Sequence, residues 1–267
     1  YATAFDPPLE MLKSHGMDIT AEVAEIREEL PTAPLKDELV GPGAFIPSAE
    51  RYSLMPAIDR WVVENTFRML TLDQTHVSNK ISTCCINLSG QSLSDARFTD
   101  FLVNQIKDSG VTPEKLCFEI TETAVIANLC HASQMISILR DMGCRFALDD
   151  FGVGLSSFSY LKNLAVDYLK LDGCFVKNMV NDPIDKAMVK AINQIGHTMN
   201  IKTIAEFVEN EKTLNAVHEI GVDYAQGYGI AKPAPIEVGL FSDPVQVHLP
   251  DYGDNAPIQL GAWSGKR

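Results

Sequence analysis

Basic residues are scarce in this sequence of 267 residues, which has 22 Lys and Arg against 35 Asp and Glu and a formal net charge of −13. Binding to DNA or RNA and electrostatic docking on anionic lipid both need a positive surface. The charge therefore argues against a nucleic-acid partner and against membrane contact by this domain. An anionic partner would have to be neutralised by something other than Lys and Arg.

Long apolar runs are also lacking, since none approaches the roughly 18 residues needed to span a bilayer, and no basic-then-apolar leader precedes the first segment. The six cysteines form no C-x-x-C pair, and four lie in or beside strand-like apolar runs. This pattern favours buried, reduced thiols rather than disulfides or zinc sites and predicts a cytoplasmic protein. The sequence begins at Tyr1 without methionine, as expected for a piece of a longer protein.

From about residue 80, short apolar runs alternate with longer amphipathic stretches, which is typical of βα units and a parallel sheet. The predicted strands are 84–88, 116–121, 145–149, 168–171, 203–206 and 224–226. Residues 1–80 leave room for two more strands and a long helix near 56–70. The length alone suits two modest domains or one barrel of about 250 residues, but no Pro/Ser/Gly-rich linker divides the chain. We therefore predict an α/β fold, a (β/α)8 TIM-like barrel over 1–236, followed by a loop-rich C-terminal extension over 237–267.

Nearly every predicted strand carries a polar residue near its carboxyl end. These residues are Asn87, Glu119, Asp149 with Asp150, Lys170, Glu206 and Gln226. In a barrel, the carboxyl ends of the strands converge on the face where active sites are built. Alternation supports this placement for one strand, because Cys117, Glu119 and Thr121 share a side while Phe118 and Ile120 pack outward.

Several carboxylates converging with an amide oxygen would repel one another unless cations lay between them. Mg²⁺ and Mn²⁺ prefer such oxygen ligands, and the set contains no histidine, which argues against zinc. Adjacent Asp149 and Asp150 allow one carboxylate to bridge two ions, an arrangement that clamps a phosphoryl group and activates a water. Lys170 would then orient that water, take its proton or stabilise charge on phosphate. The alternatives are that the acids cap helices or solvate loops and that Lys170 is a structural ion-pair partner.

Several motifs carry a family resemblance. They are Phe-Glu-Ile-Thr-Glu at 118–122, Asp-Asp-Phe-Gly-Val-Gly-Leu-Ser-Ser at 149–157, Leu-Lys-Leu-Asp at 169–172, Ala-Glu-Phe-Val-Glu at 205–209, Gln-Gly-Tyr at 226–228, Asn-Leu-Ser at 87–89 and Gly-Ala-Phe-Ile-Pro-Ser-Ala-Glu at 43–50. In this order, over roughly residues 40–236, they resemble the motifs of the EAL-domain cyclic di-GMP phosphodiesterases. The resemblance implies a (β/α)8 barrel with one antiparallel strand and hydrolysis of cyclic di-GMP to linear pGpG with Mg²⁺ or Mn²⁺.

The resemblance also implies a role for each matching residue. Asn87, Glu119 and Asp149 would hold one ion, while Asp149 would bridge to a second ion served by Asp150 and Glu206. The catalytic residues would be Lys170, Asp149 and Glu206, the substrate-binding residues Gln226 and Asp150, and the supporting acids Glu122, which tethers the loop 149–157, and Glu209. A homodimer and adjacent sensory or GGDEF-type domains are implied as well.

The first 40 residues depart from the family pattern. The Glu-Ala-Leu triplet that names the family is absent, and Glu22 in Glu-Val-Ala is the nearest candidate ligand, with Glu25, Glu28 and Glu29 as rivals. Phe207 stands where glycine is usual, and we expect it to be tolerated because strands accept aromatic residues.

Two functions therefore stay open. One is a metal-dependent phosphodiesterase, and the other is an inactive receptor or regulatory module that binds cyclic di-GMP without cleaving it. The ordered motifs leave little room for an unrelated metal-dependent barrel enzyme.

Overall fold

The computed structural model describes residues 41–72, 81–153 and 159–232. Its centre is a six-stranded sheet in which each strand pairs in parallel with the next strand along the chain. The strands are β1 (Cys84–Leu88), β2 (Leu116–Thr121), β3 (Arg145–Phe151), β4 (Tyr168–Leu171), β5 (Lys202–Ala205) and β6 (Tyr224–Ala225). Each begins and ends within two residues of its predicted position, and the predicted α/β class is confirmed.

Helices alternate with the strands. The helices are α1 (Pro42–Arg51), α2 (Met55–Leu72), α3 (Gly90–Leu93), α4 (Ala96–Ser109), α5 (Glu122–Ala127), α6 (Leu129–Asp141), α7 (Gly173–Val176), α8 (Pro183–Thr198) and α9 (Glu211–Ile220), with short 3-10 turns at Pro113–Lys115 and Tyr160–Asn163. This alternation is the element order of a (β/α)8 barrel. The described part of 41–72 is largely helical, so the predictions of two earlier strands, of an antiparallel strand and of the extension 237–267 lie outside the described residues.

Helix α4 shows how the local sequence sets the helix limits. The Asp95 carboxylate accepts a hydrogen bond from the Arg97 backbone N–H at the amino end, and Gly110 ends the helix with φ 74°. Both are ordinary helix signals, since Asp satisfies a free amide and glycine enters the left-handed region without a Cβ clash. Phe98, Leu102 and Ile106 recur at four-residue spacing and are buried, as predicted.

The sheet buries two separate sets of apolar side chains. The larger set lies between strands and helices and includes Phe118 and Ile120 of β2. The smaller set lies on the other face of the sheet and comprises Cys117, Ala147, Tyr168 and Ile204, with Cys85 and Tyr224 packed against it. We call this smaller set the barrel floor. The alternation predicted for β2 is therefore confirmed.

All six cysteines are free thiols. Cys117 and Cys144 are buried, but Cys130 and Cys174 are exposed. The expectation of buried thiols is therefore wrong for these last two, which lie on the outer faces of helices α6 and α7.

Within the residues described, no helix combines the length and apolarity needed to cross a membrane.

Candidate metal and phosphodiester site

Six candidate site residues each lie two positions after a residue of the barrel floor. The pairs are Cys85 and Asn87, Cys117 and Glu119, Ala147 and Asp149, Tyr168 and Lys170, Ile204 and Glu206, and Tyr224 and Gln226. Side chains two residues apart on a strand face the same side and are separated by about 6.6 Å along it. The strands therefore carry a polar layer directly above the floor, at their carboxyl ends.

Strands β1 and β2 bring Asn87 and Glu119 side by side, because these two residues are partners in the parallel register. Glu119 is buried, whereas Asn87 is exposed. Thr121 is in turn the partner of Asp149 on β3. The pairing of neighbouring strands thus accounts for the juxtaposition of residues that are distant in sequence.

Asp149 and Asp150 lie where β3 becomes irregular. The register between β3 and β4 shifts between Leu148 and Phe151, and Asp150 has φ 55°. Adjacent residues of a regular strand point to opposite faces, and the left-handed residue breaks this rule locally. One carboxylate oxygen each from Asp149, Asp150 and Glu206 consequently lies within 4.8 Å of the others.

Lys170 is fully buried among carboxylates. Its Nζ lies 2.7 Å from Glu119 Oε2, 2.9 Å from Glu206 Oε1 and 3.2 Å from Asp149 Oδ1. Burial opposes the positive charge, but the three neighbouring carboxylates outweigh it and hold the pKa of Lys170 well above its ordinary value. The site therefore contains one ammonium group within reach of three candidate metal ligands.

Glu206 and Gln226 are fixed by backbone hydrogen bonds just beyond their strands. The Gln226 N–H donates to the Ala205 carbonyl at 2.8 Å, and the Val208 N–H donates to the Gln226 carbonyl at 3.0 Å. Both side chains are buried. These bonds continue the pairing of β5 and β6 past the strand ends, so Glu206 and Gln226 stay next to each other in the polar layer.

Glu122 is buried at the start of α5 and holds two segments that follow β3. Its Oε2 accepts a hydrogen bond from the Gly152 N–H at 3.0 Å, and its Oε1 accepts one from the Tyr160 hydroxyl at 2.7 Å. Burial and this bond to the carboxylate raise the pKa of Tyr160. Tyr160 was not predicted as part of the site, because nothing in a local pattern reveals a contact with a residue so far away in sequence.

Asp59 is a second buried acid that the sequence analysis missed. It lies on the apolar face of α2, four residues from buried Met55 and Val63. Its Oδ2 accepts hydrogen bonds from the Ser89 N–H at 2.9 Å and the Ser92 hydroxyl at 2.6 Å. Burial raises its pKa. Asp59 thus anchors the turn that follows Asn87, and an acid within an apolar helical stripe was the signal for it.

The remaining predicted residues are not among the acids that the structure brings together. Glu209 is exposed, and Glu22 lies outside the described residues together with its rivals. Phe207 follows the end of β5 and has φ 53°. The reason given for tolerating it, that strands accept aromatic residues, is therefore wrong, because the residue is left-handed.

Comparison with known proteins agrees with this geometry. The EAL domain family model matches residues 17–233. The chain is 43% identical over 199 residues to the cyclic di-GMP phosphodiesterase PdeB of Shewanella oneidensis. The matched region covers 74% of this chain and 23% of that protein. The chain is 39% identical over 188 residues to the cyclic di-GMP phosphodiesterase PdeA of Borreliella burgdorferi, with 70% and 28% covered. The chain thus spans about a quarter of the length of these curated relatives.

Two solved structures resemble the chain in both fold and sequence. The phosphodiesterase PaMucR in complex with cyclic di-GMP has a TM-score of 0.70 and 32% identity, with 77% of this chain and 82% of that chain covered. The EAL domain of FimX from Pseudomonas aeruginosa bound to cyclic di-GMP has a TM-score of 0.67 and 30% identity, with 74% and 78% covered. A family match over most of the sequence, with the same fold and with acids at the strand ends, establishes that this chain belongs to the EAL domain family.

Proposed function

We propose that this chain is a cyclic di-GMP phosphodiesterase that opens the cyclic dinucleotide to linear pGpG. The observation that carries the proposal is the close group formed by Asp149, Asp150 and Glu206 at the carboxyl ends of β3 and β5. Relatives named as cyclic di-GMP phosphodiesterases and relatives solved with cyclic di-GMP support this substrate. The scissile bond would be one phosphodiester of the ring.

The chemistry of the donor set fits a pair of Mg²⁺ or Mn²⁺ ions. All three residues of the group offer carboxylate oxygens, and Glu119 and Asn87 add a carboxylate and an amide oxygen on neighbouring strands. Hard divalent ions prefer these donors. We assign Asn87, Glu119 and Asp149 to one ion and Asp149, Asp150 and Glu206 to the second, with Glu22 as a further candidate ligand. When bound, such a pair neutralises charge on the phosphodiester and activates the attacking water.

Lys170, Asp150 and Gln226 have separate roles in this proposal. The Lys170 ammonium, buried beside Glu119 and Glu206, would orient the attacking water and stabilise charge that develops on phosphate. Half-buried Asp150 lies at the open side of the group, where it would also contact substrate. Gln226 offers a neutral amide that donates to a phosphate oxygen without adding negative charge.

Glu122 and Glu209 would act through other residues. By binding the Gly152 N–H, Glu122 would hold the segment that follows Asp149 and Asp150. Exposed Glu209, three residues after Glu206, would support Glu206 from the solvent side.

One observation favours a second candidate function, an inactive receptor that binds cyclic di-GMP without cleaving it. The three ion pairs of Lys170 compensate part of the carboxylate charge with a cation of the chain itself. Such a site tolerates the loss of metal better than a bare carboxylate cluster. The absence of a Glu-Ala-Leu triplet points the same way.

The two functions are distinguished by incubating the purified chain with cyclic di-GMP and Mn²⁺ and following pGpG by chromatography. For a phosphodiesterase, Asp149→Asn should lower turnover by more than the roughly 10- to 100-fold typical of changes around a metal ligand. The matched control is Asp100→Asn, which changes an exposed aspartate on α4 and should leave turnover unchanged.

The outcomes separate the two functions. Tight binding of cyclic di-GMP in EDTA without turnover in Mn²⁺ would establish the receptor and overturn the enzyme. Equal turnover in Asp149→Asn and the unchanged chain would remove this cluster from the reaction. If the chain neither bound nor cleaved cyclic di-GMP, both functions would be overturned.

We propose a homodimer, adjacent sensory or GGDEF-type domains, and no nucleic-acid or membrane contact by this domain, as its acidic charge suggests. Six free thiols support a reducing, cytoplasmic compartment. Sedimentation of the purified chain with and without cyclic di-GMP tests the dimer.

A further inference from the structure

One candidate ligand, Asp150, and one residue next to a candidate ligand, Phe207, have left-handed backbone angles without being glycine. Asp150 has φ 55° and Phe207 has φ 53°. Aspartate enters this region readily because its short side chain hydrogen-bonds locally, whereas a bulky side chain is a genuine outlier there. Such strain persists only where surrounding contacts fix it, and it clusters at functional sites. The conformation of Phe207 must therefore be held by what its ring contacts.

The ring of Phe207 lies against the short helix α7. Gly173, the first residue of α7, has no side chain, and a Cβ built on it would lie only 2.1 Å from Phe207 Cδ2. The Lys177 Nζ lies 3.9 Å from the centre of the ring, a distance typical of a cation–π contact. Glycine at position 173 thus provides the space that the phenylalanine ring fills.

This contact joins the two chain segments that carry the ion pair of the site. Phe207 directly follows Glu206, and Gly173 lies three residues after Lys170. Between them, Glu206 Oε1 and Lys170 Nζ are 2.9 Å apart. The ring is half-buried, so its contribution to the core is limited, while its position fixes the backbone next to Glu206.

We propose that Phe207 is a positioning residue for the metal site: its ring, seated on Gly173 and beneath Lys177, holds the Glu206 carboxylate in the geometry that binds the ion. This inference rests on the proposed function in taking Glu206 as a metal ligand. A glycine at position 207 would reach the same φ without strain but would leave the segment free to move. Residues that orient metal ligands typically change metal affinity when they are altered.

The test is the affinity of the chain for Mn²⁺, measured by calorimetry without nucleotide. Phe207→Ala should weaken Mn²⁺ binding about 10-fold, while thermal unfolding in EDTA verifies that the variant is folded. Phe207→Tyr keeps the ring and should retain the original affinity. The matched control is Phe101→Ala on α4. Phe101 is also half-buried, and the centre of its ring lies 4.5 Å from the guanidinium carbon of Arg60 on α2, away from the site.

A second pair of variants tests the contact with Gly173. Gly173→Ala places a methyl group where the ring lies and should weaken Mn²⁺ binding as Phe207→Ala does. Combining Gly173→Ala with Phe207→Gly removes the collision, so thermal stability should recover relative to Gly173→Ala while Mn²⁺ binding stays weak. If the double variant recovered Mn²⁺ affinity together with thermal stability, Phe207 would act through packing alone, and the inference would be overturned.

The outcomes separate this inference from the proposed function. Unchanged Mn²⁺ binding in folded Phe207→Ala, or an equal loss in Phe101→Ala, overturns the positioning role alone. Weaker Mn²⁺ binding in Phe207→Ala, but not in Phe101→Ala, supports the positioning role. If the unchanged chain binds Mn²⁺ but does not cleave cyclic di-GMP, only the phosphodiesterase function is overturned. No Mn²⁺ binding by the unchanged chain overturns both.

Discussion

Lys170 Nζ lies 2.7 Å from Glu119 Oε2, and both side chains are almost completely buried. Asp149 and Glu206 approach the same nitrogen. One ammonium group balances only part of three negative charges, so the cluster keeps an excess of negative charge that attracts further cations. The same lysine that stabilises the metal-free fold therefore leaves the site ready for divalent ions.

Replacing Lys170 with methionine should destabilise the metal-free chain. Three buried carboxylates would lose their shared cation, and breaking a buried ion pair by removing one partner lowers the free energy of unfolding by about 3–5 kcal/mol. Added Mn²⁺ should recover part of this loss, because the ion supplies positive charge at the same carboxylates. Urea unfolding in EDTA and in Mn²⁺ measures both effects.

Lys186→Met is the control for that experiment. Lys186 forms a long, exposed pair with Glu219 at 3.9 Å, and such surface pairs contribute about 0–1 kcal/mol. If the two methionine variants unfolded at the same urea concentration, Lys170 would not hold the buried cluster together.

Tyr160→Phe should reveal the strength of the Glu122 tether. The variant removes the hydroxyl that donates to buried Glu122 while the Gly152 N–H remains. Leaving one oxygen of a buried carboxylate without its donor should lower the free energy of unfolding by about 1–3 kcal/mol. Tyr228→Phe changes an exposed tyrosine and should have no measurable effect on unfolding. Equal stability of the two variants would contradict a structural role for the tether.

Asp59→Ala should loosen the turn after Asn87. The Ser89 N–H and the Ser92 hydroxyl both donate to Oδ2 of the carboxylate, and alanine leaves these donors without that acceptor. We expect a loss of about 1–3 kcal/mol in the free energy of unfolding, together with weaker Mn²⁺ binding through Asn87. Calorimetry and urea unfolding test the two consequences separately, with Asp100→Ala as the exposed control.

Asp223 predicts a pH dependence of stability. Burial opposes its charge, but bonds from Lys202, the Thr203 backbone N–H and His197 outweigh it and hold the pKa below the ordinary value of 3.8. A lowered folded-state pKa gives stability that is fully present above pH 3.8 and is lost as the pH falls through the folded-state value. The melting temperatures of the unchanged chain and Asp223→Asn should therefore differ at pH 5, and the difference should shrink as the pH falls below 3.8. A constant difference would contradict this linkage.

Much of the fold could be predicted from local patterns. Short apolar runs between amphipathic stretches located all six described strands, and four-residue spacing located the buried face of α4. The polar strand ends followed from the same patterns, because parallel strands place their carboxyl ends together. The strand limits differed by a residue or two where backbone hydrogen bonding, not side-chain pattern, decides the end, as at Glu206.

The supporting contacts could not be predicted in this way. Asp59 acts on Ser89, thirty residues away, and Tyr160 acts on Glu122, thirty-eight residues away. Such hydrogen bonds depend on tertiary packing and leave no periodic signal. The left-handed angle at Phe207 was missed for a related reason, since phenylalanine by itself favours an extended backbone.

The barrel floor has a consequence for how the site exchanges with solvent. Its apolar side chains lie directly below the polar layer, so a hydrated ion moving toward the amino ends of the strands would have to shed its water without finding a ligand. On the proposed function, ions, nucleotide and product would all approach the described strands from their carboxyl ends. A bound dinucleotide would cover the polar layer there, so metal exchange and product release would compete with each other.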